Sequence, residues 1–278
     1  MQPSALCFFP ITPAMSDNGP AIIELRSYFV RGRNCLLVRG RFTDLYMDYY
    51  LHLMQHGLQH EEKLDTMLKE TLAAVSLHLA SRPHDERCAW TIHLQDPMLN
   101  LFVTGGGYPV ANVTGRLFSD DVKDMGKSLL IAQTSRPNQP ARQSMIEFSG
   151  TDMLHAIEQF YTQSEQRPTR YFRLPDEDFV QISAEPDADL EWLNGLRGED
   201  LPELDKAEQL SLLETRACRL ECGCTLDRMF PMLSRLSKED QDYIFEDGHA
   251  DLTCPRCGAK YKAPKAAFEQ WLAAQAKA

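Results

Sequence analysis

The chain has 278 residues, a net charge of -11 and a hydrophobic fraction of 43%, enough for one large domain with a smaller one attached and for a real core. The excess of acid argues against nucleic acid as the principal partner, because phosphate contacts need a basic face. No apolar run approaches the ~20 residues of a membrane span.

In chain order, residues 1–19 read as a flexible leader broken by Pro3, Pro10 and Pro13. Its Cys7-Phe8-Phe9 stretch lacks the positive flank of a signal peptide. Loose alternation from Ile22 to Val30 and from Cys35 to Phe42, with Gly32 between, predicts a hairpin. Thr43 or Asp44 can cap a helix through Met54, ended by Gly57. A second helix carries Leu64, Met67, Leu68, Leu72, Val75 and Leu79 on one face and stops at Pro83. The period then changes to two: Trp90, Ile92 and Leu94, then Leu99, Leu101 and Val103, then an extended run to Phe118. Further strands are predicted at Ser128–Thr134 and Gln143–Phe148, and a helix begins at Thr151 or Asp152. The Gly105-Gly106-Gly107 run leads into a strand rather than a helix, so it is not a nucleotide phosphate loop.

Residues 175–215 differ in composition. They hold 13 Asp and Glu against Arg197 and Lys206, a net of -11, so the rest of the chain sums to zero. Trp192, Leu193, Leu196 and other apolar residues are interleaved, which a disordered acidic tract would lack. The segment reads as an acidic amphipathic linker that folds against something; a solvated helical face of an ordinary domain fits the composition equally. Helices are expected at Leu226–Leu236 and Lys238–Phe245, and from Cys254 onward the charge turns basic.

The most specific signal is near the end: Cys222-Gly223-Cys224, 29 residues, then Cys254-Pro255-Arg256-Cys257. Two tight pairs of thiols suit a tetrahedral four-thiolate zinc site. Gly223 lets the first pair bend, and Gly258 can take the left-handed conformation that the second turn needs. One Zn2+ per chain, held by Cys222, Cys224, Cys254 and Cys257, is therefore expected. The other four of the 8 cysteines, Cys7, Cys35, Cys88 and Cys218, have no ligand spacing, and the whole pattern fits a reducing cytoplasm rather than a secreted disulfide framework. Cys218 reads as a small buried hydrophobe, with a spare ligand or resolving thiol as the alternative. His52, His56 and His60 recur every four residues and read as a surface stripe rather than metal ligands.

Cys-x-Cys followed by Cys-x-x-Cys at the C-terminus resembles the redox-regulated holdase chaperones of the thirty-three-kilodalton heat-shock protein family. Tyr161-Thr162-Gln163-Ser164-Glu165-Gln166-Arg167-Pro168-Thr169 is similar to that family's Tyr-Phe-x-x-Ser-Glu-Gln-x-Pro-Thr segment. Asp124-Met125-Gly126-Lys127 stands where the family has Asp-Val-Gly-Lys, and Arg228, Glu246-Asp247-Gly248 and Tyr261 also fit. Two departures are plain: the family's Gly-Asp-Gly-Pro turn is Gln95-Asp96-Pro97 here, and residues 175–215 do not follow the family's linker in sequence.

The resemblance implies an α+β fold: an N-terminal chaperone core domain over 20–174 with an antiparallel sheet and packed helices, a helical linker over 175–215, and a small C-terminal zinc-binding redox-switch module over 216–278. It implies an ATP-independent, cytoplasmic chaperone rather than an enzyme. Oxidation would release zinc, pair Cys222 with Cys224 and Cys254 with Cys257, and expose apolar surface to unfolded or partly folded client proteins. Neither nucleic acid nor membrane is an expected partner; a homodimer in the oxidised form is. Two other readings stay open at this point. One is a zinc-ribbon adaptor with a purely structural metal and a basic tail. The other is a thiol oxidoreductase using Cys254 and Cys257; such a redox pair usually opens a helix, and Pro264 is expected to limit any helix here.

Overall fold

The hairpin expected near the start is formed by β1 (Ile23–Val30) and β2 (Cys35–Arg41), antiparallel, with Val30 opposite Cys35. It belongs to a ten-stranded sheet. The computed structural model describes residues 19–276; most of the leader, with Cys7, and the end of the tail, with Lys277, lie outside the described residues. After the hairpin come α1 (Thr43–Gln55), α2 (Glu62–Ala80), β3 (Arg87–Leu94), β4 (Leu99–Gly106), β5 (Val110–Phe118), β6 (Ser128–Ser135), β7 (Arg142–Phe148) and α3 (Met153–Gln163). These follow the expected order closely. The cap of α1 differs: Phe42 occupies it, and no side chain closes it. Asp152 caps α3 by accepting the His155 N–H at 3.0 Å.

The sheet continues past residue 174. β8 (Thr169–Leu174) and β9 (Asp178–Ala184) form a second hairpin, and every residue of β9 is buried. The strand order is β7-β6-β3-β4-β5-β10-β1-β2-β9-β8, where β10 is Leu210–Leu220. All neighbours are antiparallel except β5 and β10, which run parallel. The boundary expected at 174 thus falls inside a hairpin, and the stretch 175–215 contributes β9 and half of β10 to the sheet. β9 was not legible because a strand buried on both faces shows no alternation.

Two cores lie on the two faces. On one, α2 crosses the sheet against β1 to β5 and β9, with α3 beside it. From Thr71 to Ala80 every residue of α2 is buried, so its expected single apolar stripe widens into a helix that is core on all sides. Its buried hydroxyls are satisfied locally: Thr71 and Ser76 donate to the carbonyls of Met67 and Leu72. On the other face, between β9 and β10, the acidic segment forms α4 (Leu190–Gly195), a 3-10 helix (Gly198–Glu203) and α5 (Leu204–Ala207). Leu193, Leu196, Leu201 and Leu204 are buried there against Val30, Leu37, Phe172 and Ile182. Most of the charges face outward while Leu side chains face the sheet, and the buried Asp178 is paired with Arg39 at 2.6 Å, which is how a stretch of net charge -11 packs at all. Arg33 ties it down, reaching Asp189 at 2.7 Å and Glu208 at 2.9 Å and lying over the Trp192 ring.

The C-terminal part is a small module: α6 (Leu226–Leu233), α7 (Lys238–Ile244), a two-stranded sheet of β11 (His249–Thr253) and β12 (Lys260–Pro264), and α8 (Lys265–Gln275). Both expected helices are present, each a little shorter. Its own core is Phe230, Leu233, Phe245, Ala250, Ala263 and Phe268, with Trp271 stacked on Phe268. Pro264, expected to limit any helix, instead immediately precedes α8, where a proline's fixed φ and missing N–H cost nothing.

Candidate metal centre

β10 delivers the first pair of thiols. It lies between β1 and β5 in the middle of the sheet, and the Glu221 N–H still donates to the Val113 carbonyl at 3.0 Å. Cys222 therefore starts from a fixed point of the body. Gly223 has φ +64°, and a Cβ there would stand 2.9 Å from Arg228 Nη1, so glycine is required both for the bend and for the approach of that arginine. The second pair sits on the turn from β11 to β12. The Cys254 N–H donates to the Ala259 carbonyl at 2.8 Å and the Gly258 N–H to the Cys254 carbonyl at 2.9 Å.

The four sulfurs converge. All lie within 4.8 Å of one another, with Cys222 to Cys254 at 3.7 Å and Cys224 to Cys257 at 3.5 Å. A tetrahedral site with Zn–S bonds of about 2.3 Å has edges of about 3.8 Å, so the donor set fits such a metal in number, chemistry and spacing. Among the described residues this is the one group of three or more His, Cys, Asp or Glu side chains that converges in this way. The thiols share protons as a set. Hydrogen bonding from Cys257 holds Cys222 down at about 5, with Arg256 helping, while the same shared proton pushes Cys257 well up. Without a cation, the four cannot all be thiolates; a divalent metal removes that conflict.

Other residues frame the cage. The Tyr261 hydroxyl donates to the Cys224 carbonyl at 3.0 Å and lies 3.2 Å from the Cys224 sulfur. Arg256 Nη1 donates to the Cys222 carbonyl at 3.4 Å and Arg228 Nη1 to that of Gly223 at 2.5 Å. The body contributes too. Arg116 of β5 donates to the Cys254 carbonyl at 3.3 Å, and His52 of α1 hydrogen-bonds the Cys257 carbonyl at 2.9 Å. The Lys260 N–H donates to His56 Nδ1 at 3.2 Å. Two of the three histidines set aside as a surface stripe, His52 and His56, therefore form the seam between α1 and the cysteine turn, while His60 lies beyond the end of α1. The spacing of four carried no sign of what these histidines meet.

The remaining described cysteines lie apart. Cys35, Cys88 and Cys218 are buried, and burial pushes their thiols up to about 11, 12 and 12. Cys218 faces Ser76 Oγ at 3.7 Å rather than the cage. The Cys254–Cys257 pair lies between two strands, not at the start of a helix, so the arrangement of a thioredoxin-like redox pair is missing.

The "Hsp33 protein" family profile matches residues 181–264. The chain is similar to the 33 kDa chaperonin of Photorhabdus laumondii subsp. laumondii, 28% identical over 259 residues that cover 81% of this chain and 88% of the relative. The 33 kDa chaperonin of Pectobacterium carotovorum subsp. carotovorum is 26% identical over 258 residues, with the same coverage. The crystal structure of the 33 kDa chaperonin of Thermotoga maritima superposes with a TM-score of 0.69, covering 92% of this chain and 99% of that one at 13% identity. At that identity the superposition speaks for the fold: a mixed α+β architecture with a large sheet and a C-terminal cysteine cluster.

Proposed function

We propose that the chain is a divergent member of the Hsp33 family and an ATP-independent holdase chaperone, kept latent by a four-thiolate zinc site and switched on by oxidation. The observation that carries this reading is the convergence of four sulfurs within 4.8 Å directly after the central strand β10. Cys222, Cys224, Cys254 and Cys257 hold one zinc in the reduced protein. That metal supplies about 10–16 kcal/mol of apparent binding free energy to the folding of a module whose own core is small.

The oxidant class is a peroxide. A thiolate of each pair attacks the O–O bond, releasing hydroxide and leaving a sulfenic acid. The neighbouring thiolate then displaces hydroxide from that sulfur and the S–S bond closes. Each pair of thiolates gives two electrons to one peroxide as its disulfide forms, and two peroxides are consumed per chain. The pairs are Cys222 with Cys224 and Cys254 with Cys257. A bridge across the single residue Gly223 is cramped and readily reduced, which suits reversal. Once the sulfurs are paired, four ligands are lost together and the module loses its main support.

β10 connects that event to the body. Of its eleven residues only Cys218 is buried, so its position rests mainly on its ladders to β1 and β5. The acidic segment enters it at Leu210. Opening of the module loosens β10 from its C-terminal end and then the helices before it. Val30, Leu37, Phe172 and Ile182, now beneath Leu193 and Leu201, become apolar surface for unfolded or partly folded clients. Oxidised chains with such surface exposed pair as homodimers. The setting is the cytoplasm, where thiols are kept reduced until stress; among the described residues no helix is long and apolar enough to cross a membrane. The test is light scattering of a thermally unfolding client with this protein reduced or peroxide-treated. Suppression by the treated form alone is expected; equal behaviour of both forms would refute the switch.

A further inference from the structure

One concave surface of the molecule is basic, although the chain as a whole carries -11. It is a cleft of about 530 Å³ between the ends of β3, β4 and β6 and the cysteine module. Arg87 enters it from the body, Arg228 and Arg256 from the module, and the Gly105–Gly107 run forms part of one wall. Among the described residues none of the three guanidiniums is paired with a carboxylate. Arg87 makes no ion pair among the described residues, and the acceptors of Arg228 and Arg256 are the backbone carbonyls of Gly223 and Cys222. The single carboxylate of the lining, Glu221, stands 2.5 Å from Arg219, outside the cleft. Arg87 and Arg228 bring positive charge to this concavity with no carboxylate against them, and Arg256 adds its own while also facing the Cys222 sulfur.

We propose that this cleft binds a short inorganic phosphate chain, of the size of a di- or triphosphate, clamped between Arg87 of the body and Arg228 and Arg256 of the module. The planar fork of each guanidinium matches phosphate oxygens two at a time. The volume lies within the usual range of small-ligand sites and has room beyond a single phosphate. The remaining lining is polar or small: Thr104, Asn112, Gln133 and Ser135 offer hydrogen-bonding groups to further oxygens. No aromatic side chain lines it, so a nucleotide base finds no stacking platform, and the phosphates alone provide the recognition. Because the ligand touches both body and module, its occupancy holds the module in place. That consequence rests on the redox reading above; the binding does not.

The experiment is calorimetric titration of the reduced, metal-loaded protein with pyrophosphate, orthophosphate and ADP at constant ionic strength. Pyrophosphate is expected to bind at least as tightly as ADP and more tightly than orthophosphate. R87Q, which alters an exposed side chain of the body, should weaken pyrophosphate about tenfold, one charge-assisted pair. R228Q/R256Q should weaken it further, and R235Q, outside the cleft, should leave it unchanged. Zinc chelation by pyrophosphate would not depend on Arg87, so equal heats in wild type and R87Q would overturn the site. So would no binding of pyrophosphate at millimolar concentration. Tighter binding of ADP than of pyrophosphate would overturn the phosphate-chain assignment.

Discussion

His52 Nε2 and the Cys257 carbonyl oxygen are 2.9 Å apart, so a side chain of α1 closes a hydrogen bond on the turn that carries two of the four thiols. His56 adds a second bond at Lys260, and its ring packs 5.7 Å from that of Tyr261, whose hydroxyl touches Cys224. This seam couples the position of the cysteine turn to the body without contributing a ligand.

Replacing both histidines, H52A/H56A, is therefore expected to keep the zinc content and speed its loss. Two hydrogen bonds at about 1 kcal/mol each correspond to roughly a tenfold or greater increase in the rate of zinc release under peroxide. A colorimetric zinc assay reads this directly. An unchanged rate would mean that the seam plays no part in holding the module closed.

Metal analysis of the reduced protein should give one zinc per chain, and Cys254→Ser should lower it sharply. Chelation should abolish amide protection across 222–264 while leaving that of β3, β4 and β6 intact, because those strands sit in the larger core. Full zinc occupancy in the C222S/C254S double variant would contradict the assignment of the ligands.

Cys35, Cys88 and Cys218 should be dispensable. Burial keeps each of them a thiol at neutral pH, and the thiolate is the reactive form. Single Cys→Ala variants, which retain the apolar character of the sites, should release zinc on oxidation at the wild-type rate. Loss of the response in C218A alone would make that residue a resolving thiol.

The acidic segment should be the marginal element. Leu193 is fully buried on the sheet while the segment's net charge opposes compaction. W192A/L193A removes about 2–5 kcal/mol of packing at Leu193 alone, enough to populate an open form. The variant should suppress client aggregation even when reduced. Hydrogen exchange over 185–209 that stays equally protected before and after oxidation would make the segment a fixed part of the fold.

His78 sets a pH dependence of the body. It is buried beside Arg82, Trp90 and Tyr161, with Glu86 Oε1 3.9 Å from its Nε2. Burial, aided by the charges of Arg82 and Arg167, drives its pKa well below the ordinary value. The unfolded chain takes up a proton below about pH 6.5 that the folded chain refuses, so stability falls with acidity by up to about 1.4 kcal/mol per pH unit until the folded value is reached. Urea midpoints of wild type should drop between pH 7.5 and 5.5 more than those of H78Q. Parallel slopes would contradict this.

The elements with a clear period were legible in the sequence, and so was the cysteine cage, since two thiol pairs carry their geometry in their spacing. What was hidden depends on contacts distant in sequence. β9 lacks alternation because both of its faces are covered, and the eleven residues of β10 read as mixed because only Cys218 is buried. The use of His52 and His56 could not be seen before α1 and the cysteine turn, some two hundred residues apart, were brought together. Arg87, Arg228 and Arg256 likewise have no sequence relation; only the fold places them around one cleft.

The most direct test follows zinc and client holding in one sample, with a zinc-sensitive dye and light scattering recorded together after peroxide is added. Zinc release is expected first or simultaneously, with suppression of aggregation rising as the metal leaves and both reversing on reduction with zinc present. Holding activity that appears while zinc stays bound, or complete zinc loss with no gain in holding, would contradict the switch.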